Sequence, residues 1–265
     1  MQPVLPYSKR EQRGWYMYDW ANSTFASTVV TLFLGPYLTE LAKTAAGVDG
    51  RVHLLGIPMD PRSWWGYLIS ISVITQIFTL PIVGAVADFS PHKKRLMALF
   101  AYTGALATAA MFFLRGSEYL LGGALFLIAN LAFGASIVVY NSFLPDIAPP
   151  EERDAVSSTG WGIGYLGGGL LLALNLVLFT KAKALGLSTA MAVRINLASA
   201  GIWWALFSLI PLSAIRNRPP GRVRRKGEGL FERFQEFIIT LREMRHYPQT
   251  LRFLIAYLLY NDAVQ

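Results

Sequence analysis

Six apolar stretches, at about 15–40, 63–88, 96–115, 119–143, 158–180 and 191–214, dominate the chain, and a seventh begins near Phe253 and is unfinished at Gln265. Roughly 20 residues of helix, rising about 1.5 Å each, cross the hydrocarbon core of a bilayer. The stretches therefore predict an all-α, polytopic membrane protein with six complete spans and the start of another. Composition agrees: 54% of residues are hydrophobic and 15% charged, with a mean hydropathy of +0.40, where soluble domains carry roughly 25% charge. The first stretch is too long for a signal-peptide core and is followed by no convincing cleavage site, so it reads as a retained helix. With no cysteine, disulfides and thiolate metal sites are excluded.

A net charge of +8 would suggest nucleic acid for a soluble protein, but in a membrane protein the distribution of charge decides. No nucleic-acid partner is expected. With a cytoplasmic amino terminus, Lys9, Arg10, Arg13, Lys93, Lys94, Arg95, Arg153 and ten bases between Arg216 and Arg252 lie inside. Seventeen of the 24 Lys and Arg then face the cytoplasm, which fixes the expected orientation. The break after residue 214, with Arg216-Asn217-Arg218-Pro219-Pro220-Gly221 and Arg224-Arg225-Lys226, reads as a linker over 215–252 between a bundle at 1–214 and a second one opening at 253–265. Within it Leu230, Phe231, Phe234, Phe237, Ile238, Leu241 and Met244 recur at helical spacing. Such an amphipathic helix lies against the membrane surface or packs on the protein's own cytoplasmic side.

Two acids sit where hydrocarbon is expected: Asp19, in Tyr18-Asp19-Trp20, and Asp262, in Tyr260-Asn261-Asp262. A carboxylate at the middle of a membrane helix costs roughly 2.5–3.5 kcal/mol to insert, so it normally faces a protein interior or a watery path. The echo between two distant helices is how duplicated halves show in sequence. Asp19, Asn22, Ser23 and Ser27 fall at i, i+3, i+4 and i+8, on one helix face that lines either a cavity or a helix contact. Topology brings Asp19 and Asn22 towards Tyr140, Asn141, Trp161 and Tyr165 near the cytoplasmic side, as an inner gate. Asp262, roughly 15 Å into its helix, is the deeper candidate for solute or proton contact.

The segment Gly84-Ala85-Val86-Ala87-Asp88-Phe89-Ser90-Pro91-His92-Lys93-Lys94-Arg95 joins a small-residue helix end and an acid to three bases. It resembles the signature loop of the major facilitator superfamily, with Gly84, Asp88, Lys93 and Lys94 matching and Pro91 and His92 replacing the usual turn glycine and first arginine. The resemblance implies that Asp88, Lys93, Lys94 and Arg95 belong to a cytoplasmic latch. Asp146, at the end of Tyr140-Asn141-Ser142-Phe143-Leu144-Pro145-Asp146, and the following Glu151, Glu152 and Arg153 are expected to meet that basic cluster. In the fifth stretch Gly160, Gly164, Gly168 and Gly169 are expected to let helices approach closely. Gly164, Gly168 and Gly169 also partly resemble the glycine motif of facilitator-superfamily antiporters, with Tyr165 in place of its proline.

Residues 15–27, 140–146, 157–169 and 257–265 together resemble the vacuole-effluxer family of that superfamily, which includes the fungal vacuolar amino-acid exporter and many bacterial relatives. The resemblance implies two six-helix bundles around a central cavity, each bundle made of two three-helix groups, with the carboxyl-terminal half as partner. It implies a secondary transporter of a small solute, an exporter whose cargo is amino acids, in a bacterial plasma membrane. No phosphate-binding loop is present, and His53, His92 and His246 fall in loops or linker without metal-ligand spacing. No cofactor, metal or enzymatic chemistry is expected. A proton is the natural coupling ion, because burial favours the neutral acid and water the charged one. The competing reading is a membrane sensor or scaffold of transporter-like fold, which has no need of an intramembrane acid.

Overall fold

The computed structural model describes residues 7–54, 56–218, 243, 246–253 and 256. Among these, six helices are long and apolar enough to cross a membrane: α1 (Lys9–Ala45), α2 (Pro61–Phe89), α3 (Lys93–Phe113), α4 (Tyr119–Ile147), α5 (Pro150–Lys181) and α6 (Thr189–Ala214). Helices fit because lipid offers no partner for a free backbone N–H or C=O. The chain is an all-α, multi-pass integral membrane protein. The compact unit runs from Met1 to Pro220, past the expected boundary at 214; Gly221–Gln265 forms the second unit. Of that unit, residues 248–253 are helical and exposed. Asp262, the linker pattern at 230–241 and Met244, and nearly all of the seventh stretch lie outside the described residues.

Each helix extends beyond its apolar window where polar groups find partners. α1 begins at Lys9 rather than near 15 because Gln12 donates to the Ile147 carbonyl (3.0 Å) and Glu11 is buried beneath Arg218. The Ser188 hydroxyl caps α6 by accepting the Met191 N–H (3.2 Å). Two features escaped the sequence reading. Phe25–Phe33, in the middle of α1, is wound as π-helix, with the Leu34 N–H reaching back to the Val29 carbonyl. A small antiparallel hairpin, β1 (Val52–Leu54) with β2 (Ile57–Met59), lies in the α1–α2 connection and turns through Gly56 at φ +83°.

The packing has an internal symmetry. α1 lies along α5 and α6, α4 lies along α2 and α3, and α3 meets α6. Exchanging α1 with α4, α2 with α5 and α3 with α6 leaves this pattern unchanged, as expected of two three-helix repeats. The repeats interlock, since the first helix of each packs mainly on helices of the other. An aromatic core fills the junction of α1, α4 and α6, where Phe25 contacts Phe133 and Trp204. α2 buries least, and Ile74, Ile77 and Phe78 point outwards from it.

Candidate functional site

The polar stripe of α1 divides. Asp19, Asn22 and Ser23 line an open cavity of about 220 Å³ with Ile137, Tyr140 and Asn141 of α4 and Trp161 and Tyr165 of α5. Ser27 instead packs between helices, donating to the Ser23 carbonyl (2.9 Å) and the Gly168 carbonyl (3.3 Å). Asp19 is half-buried, and its Oδ2 accepts the Tyr140 hydroxyl at 2.7 Å. Tyr140 is held in turn from behind. Its ring stacks on Trp15 at 4.1 Å, and the Trp15 indole N–H donates to the Tyr140 carbonyl at 3.1 Å. Trp15, one helical turn before Asp19, was missed from sequence, although an aromatic at i−4 from a membrane acid was the available signal.

Glycines of α5 set how closely α1 approaches this cavity. A Cβ at Gly160 would lie 2.7 Å from the Asp19 carboxylate, one at Gly164 2.7 Å from Ser23 Oγ, and one at Gly168 3.1 Å from the Ser23 carbonyl. Gly169 does not share this role. A side chain there would meet nothing within 4 Å, because it points to the opposite face of α5. Gly167 takes its place, its missing Cβ standing 2.7 Å from the Trp20 carbonyl.

Deeper in the bundle, Asn175 ties three helices together. Its amide donates to Thr28 (3.3 Å), its Oδ1 accepts Ser199 (3.0 Å) and its carbonyl accepts Asn196 (2.9 Å). A second polar contact, Asn130 donating to Ser72 at 2.6 Å, joins α4 to α2.

At the charged end of the bundle only part of the expected latch is joined. Lys93 is buried, donates to Asp146 Oδ2 (3.1 Å) and the Ser142 carbonyl (3.0 Å), and lies over the Phe143 ring. Lys94 and Arg95 do not follow it: successive residues at a helix start point about 100° apart, so the three bases diverge. The Lys94 backbone N–H bonds Asn217 (3.1 Å), and neither side chain makes an ion pair among the described residues. Arg153 donates to the Ala148 carbonyl (3.2 Å), and Glu152 meets Lys9 (3.3 Å) rather than the basic cluster. A Cβ added at Gly84 would stand 3.4 Å from Val138, an ordinary contact, whereas Asp88 is exposed and without a hydrogen bond or ion pair among the described residues.

Sequence reasoning overlooked the best-formed ion pair here. Glu11, 2% exposed, accepts both terminal nitrogens of Arg218 (3.0 and 2.9 Å) and the Arg216 backbone N–H (2.9 Å). It fastens the chain after α6 to the start of α1, which is why the compact unit runs past residue 214.

The family model that describes vacuole effluxers like Atg22 matches residues 7–265. The uncharacterized MFS-type transporter YxiO of Bacillus subtilis is 26% identical over 96% of this chain and 58% of its own length. Autophagy-related protein 22 of Pyricularia oryzae is 26% identical over 82% of this chain and 43% of its own length. Autophagy-related protein 22-1 of Phaeosphaeria nodorum is 26% identical over 97% and 59%. The chain thus spans about two fifths to three fifths of the length of these relatives. No solved structure matches it.

Proposed function

The chain belongs to the family of vacuole effluxers like Atg22, and from that premise we propose that it is the first half of a secondary transporter that exports a small solute, amino acids in the first instance, by alternating access. The observation that carries this reading is the hydrogen bond from Tyr140 to Asp19 inside a cavity bounded by α1, α4 and α5. An acid in a membrane helix that lines a cavity and has no cationic partner among the described residues belongs to a solute or proton path. Asp19, Asn22, Ser23, Tyr140 and Asn141 form the site in this bundle; Asp262, outside the described residues, is a separate candidate for solute or proton contact in the stretch at 253–265 that follows a linker over 215–252. A proton is the coupling ion, taken up and released at a cavity carboxylate as access alternates. Lys93 with Asp146 forms the inner latch, with Gly84, Asp88, Lys94, Arg95 and Arg153 around it, on the cytoplasmic side of a bacterial plasma membrane.

Counterflow of radiolabelled amino acids in liposomes holding the whole protein tests this. Accumulation above protein-free liposomes is expected for at least one of them, and it should grow with an imposed proton gradient. No counterflow for any amino acid, with the protein folded and inserted, would remove the transport reading.

A further inference from the structure

Resting on the reading of this cavity as the solute site, we propose that it binds the ammonium end of its solute, at Asp19, in preference to an anionic end. The charge balance of the lining points there first. Among the described residues Asp19 is its one carboxylate, and no Lys or Arg lines the cavity with it. A carboxylate has room for about four hydrogen bonds, yet Asp19 accepts a single one, at Oδ2 from Tyr140. Oδ1 accepts none among the described residues. The missing complement is a group with several N–H donors and a positive charge, which an ammonium supplies with three donors and no acceptor of its own. An anion placed here would instead face Asp19 with no base to neutralise it.

The two exposed aromatic faces of the lining have the same preference. Trp161 and Tyr165 stand one turn apart on α5, 61% and 73% exposed, and both line the cavity. Aromatic faces attract cations through the ring quadrupole and offer nothing to a carboxylate. Tyr140 adds a hydroxyl, since its ring is stacked on Trp15. Asn22 is 3% exposed, and its amide nitrogen has no hydrogen-bond partner among the described residues. That amide N–H is a donor, so it suits an acceptor elsewhere on the solute and not the ammonium, which has none. It is neutral, so it adds hydrogen bonding without reversing the selectivity for charge.

Three probes of one shape separate the possibilities: phenethylamine, 3-phenylpropanoate and phenylalanine, which carry the same ring and chain with an ammonium, a carboxylate, or both. Binding to the purified whole protein in detergent is measured by calorimetry, so that no transport is needed. Phenethylamine is expected to bind about tenfold tighter than 3-phenylpropanoate or better, and Asp19→Asn should erase the difference. The double variant Trp161→Leu/Tyr165→Leu should weaken the amine by roughly 3–10-fold with an unchanged melting temperature, and it decides the matter if Asp19→Asn does not fold. Equal or tighter binding of 3-phenylpropanoate overturns the inference, as does amine binding that neither variant weakens. The transport reading fails separately: amine-selective binding without flux of any solute in liposomes supports the ammonium site and refutes transport, whereas flux without amine preference refutes the ammonium site alone.

Discussion

Replacing Gly167 by Ala tests whether glycines hold α1 and α5 at the spacing that frames the cavity. The added Cβ would stand 2.7 Å from the Trp20 carbonyl oxygen and 3.0 Å from the Trp20 Cα, both backbone atoms. Ordinary contact begins near 3.4 Å, so α1 must retreat by about 0.7 Å, and no side-chain rotation can relieve it. That carbonyl also accepts the Trp203 indole N–H at 3.2 Å, so its movement strains a second bond. Overpacking of this kind costs about 1–3 kcal/mol, against which alanine's helix preference over glycine returns about 0.8–1 kcal/mol. Gly169→Ala, which meets nothing within 4 Å, has the preference without the collision. The gap between the two variants is therefore the overpacking alone, about 1–3 kcal/mol. At about 2–4 °C per kcal/mol for a chain of this size, Gly167→Ala should melt several degrees below Gly169→Ala. Thermal unfolding in detergent followed by tryptophan fluorescence, at one fixed scan rate because such unfolding is often irreversible, reads the gap. Equal melting temperatures, or a higher one for Gly167→Ala, would refute close approach at this interface.

Three further perturbations address the polar contacts. Lys93→Met strands Asp146 in a half-buried site and should cost about 1–3 kcal/mol, most of it recovered in Lys93→Met/Asp146→Leu; strictly additive melting shifts in that double-mutant cycle would deny the coupling. Glu11→Gln removes the charge facing part-buried Arg218 and should destabilise by about 1–3 kcal/mol. Trypsin would then cut several-fold faster after Arg216, the Arg218–Pro219 bond being resistant to it, and an unchanged cleavage rate would show that Glu11 does not fasten this segment. Asn175→Leu removes the side-chain partner of Thr28 and Ser199, while Asn196 keeps its bond to the backbone carbonyl of residue 175, and should cost about 1–3 kcal/mol; a melting temperature equal to that of the unaltered protein would mean the side-chain network adds no stability.

The spans were legible in sequence because bilayer thickness imposes a length that apolar windows report directly. Their ends were less so: the first turn of α1 is polar, and only its tertiary partners, the Ile147 carbonyl and Arg218, make it helix. The π-wound stretch at Phe25–Phe33 was invisible to a reading that assumes 3.6 residues per turn. Asp19 could be singled out because a membrane acid is expensive, and the topology led to Tyr140. The glycine run was harder, since composition does not say which face is packed. The buried stripe Gly160, Gly164, Gly167, Gly168, Leu171 and Asn175 has the alternating three- and four-residue spacing that selects Gly167 over Gly169. Counting Arg216 and Arg218 only as topology signals, with Glu11 left out of account, hid the ion pair that closes the unit.

The most direct test of Asp19 as part of the solute path compares Asp19→Asn with the unaltered protein in flux and in stability. A neutral amide is cheaper to bury than a carboxylate and can still accept the Tyr140 hydroxyl, so yield and melting temperature should stay close to those of the parent. Solute flux in liposomes, measured from pH 5 to 8, should fall at least tenfold or lose its dependence on pH. Parental flux at every pH would remove Asp19 from the transport path, and flux lost together with stability would return it to a structural role.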